Sequence, residues 1–137
     1  MLPVLFFVHG GAFVAGSSAN YDCTNLATTN GAVVISTNYR LGALGWMSIP
    51  SDGGDGDPPL LANFGLQDQR SALRWAQREL ESLGGDPSRV MIYGESAGAM
   101  SVMLHAVSPP SAGLFRRVMS ESGSPMDTWP VNRPPLN

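Results

Sequence analysis

The sequence predicts an α/β fold in which a central parallel sheet of about four strands carries helices on both faces. Three observations predict it. Apolar runs of strand length, Val4-Leu5-Phe6-Phe7-Val8 and Val33-Val34-Ile35-Ser36-Thr37, lack the polar alternation of a half-exposed strand, as strands buried on both faces do. A long amphipathic segment separates them from a third run, Arg89-Val90-Met91-Ile92-Tyr93. That run passes at Gly94-Glu95-Ser96-Ala97-Gly98 straight into a helix-forming segment.

The elements follow in order. Residues 5–8 form the first strand. Residues 21–29 form a helix that Gly31 stops. Residues 33–37, rich in β-branched side chains, form the second strand. Residues 41–63, rich in Gly, Pro and Asp, read as one long loop. Residues 65–83 form the longest helix. Leu66, Leu73, Ala76, Leu80 and Leu83 share one face, and Gly84-Gly85 and Pro87 end it. Residues 90–93 form the third strand and 97–106 the helix after it. Residues 116–120 form a fourth strand, and the proline-containing tail from Met126 is irregular.

Composition limits the function classes. Apolar residues make up 43%, charged residues 14%, and the net charge is −3. All eight basic residues are arginine. Arg70, Arg74 and Arg78 line one side of a helix, but Asp68, Glu79 and Glu81 lie beside them, so nucleic acid is not an expected partner. No apolar run approaches the ~20 residues of a membrane span. Cys23 is the single cysteine, so no internal disulfide forms. The first residues do not read as a signal peptide, because basic residues are missing and Pro3 and His9-Gly10-Gly11 interrupt the apolar run. The compartment and the oligomeric state stay unassigned.

Ser96 is the candidate nucleophile. A tight strand-to-helix turn lifts a serine hydroxyl off the sheet, and the flanking glycines allow the backbone to pass close to its neighbours. Upstream, His9-Gly10-Gly11-Ala12-Phe13 follows the first strand. A glycine-rich loop there lets backbone N–H groups converge on one point. Attack on an ester carbonyl places negative charge on its oxygen, and one fixed N–H donor stabilises that charge by roughly 3 kcal/mol. The amide of Ala97 adds a donor at a helix N-terminus. His9-Gly10-Gly11 alone would also suit an ordinary tight turn; the serine turn downstream favours the catalytic reading.

These motifs resemble the type-B carboxylesterase family, the α/β-hydrolases that include cholinesterases, lipases and non-catalytic adhesion relatives. Asn38-Tyr39-Arg40-Leu41-Gly42 with Gly45-Trp46, Asn63-Phe64-Gly65-Leu66-Gln67-Asp68-Gln69 with Ala72-Leu73-Arg74-Trp75, Gly84-Gly85-Asp86-Pro87 and Ser122-Gly123-Ser124 extend the match across nearly the whole chain. The resemblance implies an oxyanion hole of the Gly11, Ala12 and Ala97 amides, supported by Gly10, Glu95 and Ser122. It further implies an acyl-pocket role for Trp129, although core packing explains that residue equally well. Arg40 and Asp68 match a buried structural ion pair. The implied activity is hydrolysis of small carboxylic esters through an acyl-enzyme on Ser96, with no cofactor and no metal. Members of the family are often secreted or reside in the endoplasmic reticulum.

The family's catalytic domain is several times longer, and its triad runs Ser, Glu/Asp, His. Residues 1–137 are therefore expected to be a partial domain that lacks the N-terminal strands and the C-terminal acid and histidine. His9 opens the glycine loop. His105 lies nine residues past Ser96 along a helix, roughly 13 Å away by helical rise, beyond hydrogen-bond reach. Asp52, Asp55 and Asp57 have the spacing of calcium ligands but lack a closing bidentate Glu, so a solvated loop is expected. Two alternatives stand beside the esterase: a largely inactive truncated protein and a non-catalytic adhesion-type relative. The second typically loses the nucleophile that is present here.

Overall fold

The computed structural model describes residues 1–51 and 60–124. Its centre is a four-stranded sheet built from β1 (Leu2–Val8), β2 (Val33–Thr37), β5 (Gly85–Glu95) and β6 (Arg117–Glu121), in the order β2-β1-β5-β6 and parallel throughout. The connecting helices are α1 (Thr24–Asn30), α3 (Phe64–Glu79) and α4 (Ala97–Val107). The expected architecture of about four parallel strands is present.

Alternation along the strands divides the side chains between two faces. Val4, Phe6 and Val8 of β1 and Val90 and Ile92 of β5 pack with Leu73, Ala76 and Leu80 from α3 and its end, and with Val102 of α4. Phe6, Leu73, Leu80 and Ile92 are fully buried, each contributing about 1.5–3 kcal/mol. The opposite face carries Leu5, Met91, Tyr93 and Met119, which with Leu26 of α1 line an open groove of about 500 Å³. Helices thus lie on both faces, as expected.

Boundaries differ from expectation where local geometry intervenes. β1 begins at Leu2, whose N–H reaches Gly84 O at 2.8 Å; the register then shifts between Leu2 and Val4, around Pro3, which has no N–H to give the ladder. Gly31 does end α1, at φ 55°, with its N–H on Ala27 O. The long helix stops at Glu79 rather than Leu83. Left-handed Gly84 turns the chain, Gly85 N–H returns to Leu80 O at 2.8 Å, and Leu83 is left exposed.

The segment expected as a plain loop contains α2 (Gly42–Trp46) and two short strands, β3 (Ile49–Pro50) and β4 (Leu60–Leu61), which pair antiparallel. Packing makes α2 despite its two glycines: a Cβ on Gly45 would lie 2.0 Å from Arg40 O, and one on Gly65 would lie 2.7 Å from the Trp46 ring. Tertiary contact overrides weak helix propensity there. Asp52, Asp55 and Asp57 lie outside the described residues. No described helix is long and apolar enough to cross a membrane.

Candidate active site

β5 ends at Glu95 and α4 starts at Ala97, so Ser96 alone makes the corner. Its backbone sits at φ 56°, ψ −119°, a conformation that costs a non-glycine residue roughly 1–3 kcal/mol. Neighbouring backbone holds it there. Ser96 N–H donates to Glu121 O at 2.9 Å, and Met100 N–H returns to Ser96 O at 3.1 Å to open the helix. The glycines on either side are steric requirements: a Cβ on Gly94 would lie 2.4 Å from Gly98 O, and one on Gly98 would lie 2.0 Å from Val8 O. Gly123 has the same constraint, its Cβ position being 2.4 Å from Ser96 O. Ser96 is half-buried, and its hydroxyl has no hydrogen-bond partner among the described residues.

The glycine loop leaves β1 directly beside this corner. A Cβ on Gly10 would stand 3.1 Å from Ser96 Cβ and 2.6 Å from Glu95 Oε2. Gly11 has φ 116°, and Ala12 and Phe13 follow at 54° and 63°. Two consecutive left-handed residues close a mirror-type turn in which Val14 and Ala15 N–H both donate to Gly11 O, at 3.1 and 3.0 Å. A left-handed phenylalanine is uncommon. It is held by its ring against Trp46, centroids 4.2 Å apart, and by Gly42 N–H donating to Phe13 O at 2.7 Å. The N–H groups of Gly11, Ala12 and Ala97 meet no acceptor among the described residues. A serine therefore stands next to a loop and a helix N-terminus at which three amide hydrogens, those of Gly11, Ala12 and Ala97, are unpaired among the described residues.

Below the loop, His9 is buried, with Nδ1 2.8 Å from Gly10 O, and its ring stacks on Tyr39 at 4.5 Å. Tyr39 donates its phenol to His9 O at 2.7 Å; burial pushes that phenol up to about 12, so it stays a donor. Neither imidazole touches Ser96. His105 is also buried, with Nδ1 2.9 Å from Ser111 Oγ and Nε2 3.1 Å from Gln69 Oε1. Burial, then the positive charge of Arg70, pulls its pKa down to about 4 and keeps it neutral.

The supporting residues are placed unevenly. Gly10 and Glu95 adjoin Ser96. Ser122 is exposed at φ 58° and makes no hydrogen bond to Glu95; the hydroxyl that closes this corner belongs to Ser120, which donates to Gly123 O at 2.8 Å. Trp129 lies outside the described residues. Arg40 and Asp68 do pair, Nε to Oδ2 at 2.7 Å and Nη2 to Oδ1 at 2.8 Å, but the pair is not buried: the side chains are 51% and 28% exposed. Among the described residues no cluster of three His, Cys, Asp or Glu is placed to hold a metal.

A family model described as the carboxylesterase family matches residues 1–137. The chain belongs to the carboxylesterase family. Among its relatives, bile salt-activated lipase of Mus musculus is 43% identical over 98% of this chain and 23% of its own length. Acetylcholinesterase of Gallus gallus is 47% identical over 93% of this chain and 16% of its own length. Neuroligin-2 of Mus musculus is 40% identical over 98% of this chain and 15% of its own length. The chain thus spans less than a quarter of each of these relatives. The four-stranded sheet is part of the α/β-hydrolase fold of this carboxylesterase family.

What sequence reading missed in this family member is a buried polar group formed by Gln69, Ser101, His105 and Ser111. One signal was available: Gln69 shares the helix face of Leu73, Ala76 and Leu80, where a polar side chain needs a buried partner.

Proposed function

We propose that the protein carrying this sequence is a carboxylic ester hydrolase with Ser96 as its nucleophile. The observation that supports the reading most is the placement of the Ser96 corner against Gly10, beside the amides of Gly11, Ala12 and Ala97, which meet no acceptor among the described residues. Ser96 Oγ attacks the carbonyl carbon of a small carboxylic ester, and its proton passes to a general base. The carbonyl oxygen takes up negative charge among the three amides, each donor contributing about 3 kcal/mol. Collapse of the tetrahedral intermediate expels the alcohol and leaves an acyl-serine. Water then attacks that ester, and the acid departs. The chemistry uses no metal and no cofactor.

Neither histidine of the sequence is hydrogen-bonded to Ser96, His105 being engaged at both ring nitrogens and His9 at Nδ1 by Gly10 O, so the base is proposed to be a histidine outside residues 1–137, oriented by an acid. Gly10 keeps the loop against the corner. Glu95, whose carboxylate borders Gly10, and Ser122 are proposed to support the site, and Trp129 to contribute to the acyl pocket. Without the base, turnover is expected to fall about 10⁶-fold, so residues 1–137 alone should hydrolyse esters poorly.

The test is labelling with a fluorophosphonate probe together with hydrolysis of p-nitrophenyl esters. Labelling and turnover that vanish in Ser96→Ala are expected. The match to neuroligin-2 favours one other reading, a non-catalytic adhesion-type protein. Absence of both labelling and turnover in the protein carrying the whole sequence would select it.

A further inference from the structure

Four buried side chains form one directed hydrogen-bond chain that ends on the turn carrying Ala97. Ser101 Oγ donates to Ala97 O at 3.0 Å. Gln69 Nε2 donates to Ser101 Oγ at 3.2 Å. With its amide nitrogen so engaged, Gln69 presents Oε1 to His105 Nε2 at 3.1 Å, which makes Nε2–H the imidazole donor and leaves Nδ1 to accept from Ser111 Oγ at 2.9 Å. Every donor points the same way, from Ser111 towards Ala97, so each bond polarises the next. Gln69, Ser101 and Ser111 are 0% exposed and His105 is 1% exposed, so water cannot substitute for a missing member.

The chain links three elements through buried polar side chains: α3 through Gln69, α4 through Ser101 and His105, and the turn at Pro109–Ser111. Its terminal bond runs within α4, from Ser101 to the carbonyl four residues back, so Gln69 of α3 is tied through Ser101 to the first turn of α4. Ala97 N–H is the donor nearest the nucleophile in sequence. We propose that Gln69 and Ser101 are positioning residues, fixing the first turn of α4 so that the Ala97 amide stays aligned with the developing oxyanion. This rests on the ester hydrolase reading above.

The test uses the protein carrying the whole sequence, with kcat expressed per serine titrated to completion by a fluorophosphonate. A purely structural role would lower the number of titratable sites and leave kcat per site unchanged. Positioning predicts that Ser101→Ala lowers kcat per site roughly tenfold to a hundredfold, with KM within about twofold of wild type. Ser101→Thr keeps a hydroxyl able to reach the carbonyl four residues back, and should restore most of that loss even where its extra methyl lowers Tm. Unchanged kcat per site in Ser101→Ala, or equal impairment in Ser101→Thr, would overturn the proposal. If Ser101→Ala yields no folded protein, Gln69→Met is read in the same way: a loss of severalfold or more supports positioning, and an unchanged value overturns it. Ser96→Ala separates the two readings. Activity retained in Ser96→Ala removes Ser96 as the nucleophile and with it the reading on which this proposal rests, whereas an inactive Ser96→Ala beside an unimpaired Ser101→Ala removes only the positioning role.

Discussion

Gly98 and Val8 meet backbone to backbone: a Cβ on the first would lie 2.0 Å from the carbonyl oxygen of the second. The opening turn of α4 is thereby pressed onto the end of β1, and this contact brings the glycine loop and Ser96 together. Gly98→Ala should separate them. Because the obstacle is backbone, no rotamer change relieves it, and a loss of about 3 kcal/mol or more is expected in urea unfolding. A variant as stable as wild type would show that the contact is looser than described.

Ser96 stores strain that glycine does not feel. At φ 56°, ψ −119°, Ser96→Gly should raise stability by about 1 kcal/mol while abolishing fluorophosphonate labelling. Equilibrium unfolding of the two proteins side by side checks it. Ser96→Ala retains a Cβ and should gain less.

His105 makes stability depend on pH. Its folded pKa, about 4, lies below the unfolded value near 6.5, so between these limits the unfolded chain binds the extra proton. Stability should therefore fall as pH drops from about 6.5 to about 4, by roughly 3 kcal/mol in total, and level off below that range. Urea midpoints across this interval measure the slope, and His105→Gln should flatten it.

The Arg40–Asp68 pair should act weakly and in the acid range. The Arg40 guanidinium holds the Asp68 carboxyl below its ordinary value, so the pair contributes above the usual carboxylate range, and the contribution disappears as pH falls through the lowered value. Half-exposure of the arginine screens it. Asp68→Asn should lower Tm slightly at low salt and by less at high salt. A large effect at high salt would show a role beyond the ion pair. A charge-reversed double variant that fails to regain solubility would count against a stabilising role altogether.

The sheet was legible because its signal is local. β2 appears at the expected residues, and β1, β5 and β6 cover or nearly cover the runs that announced them. The corner at Ser96 was legible because a single short motif carries its glycines. α2 was not legible: it depends on Trp46 seated against Gly65 and on Gly45 against Arg40, contacts that propensity does not encode. Leu83 fitted the helical stripe but fell past the left-handed Gly84, and periodicity cannot locate such a stop to the residue. The polar chain from Ser111 to Ala97 was hidden because its members are scattered over more than forty residues, and only the packing of α3 on α4 joins them.

The paired left-handed residues of the glycine loop carry a stereochemical consequence. Ala12 occupies the basin natural to a D-amino acid, and its L configuration is disfavoured there by about 1–2 kcal/mol. Semisynthesis with D-alanine at this position should leave the amide directions intact and make the protein harder to unfold. The handedness of the main chain, rather than the identity of the side chain, is what sets where the amides of this stretch point.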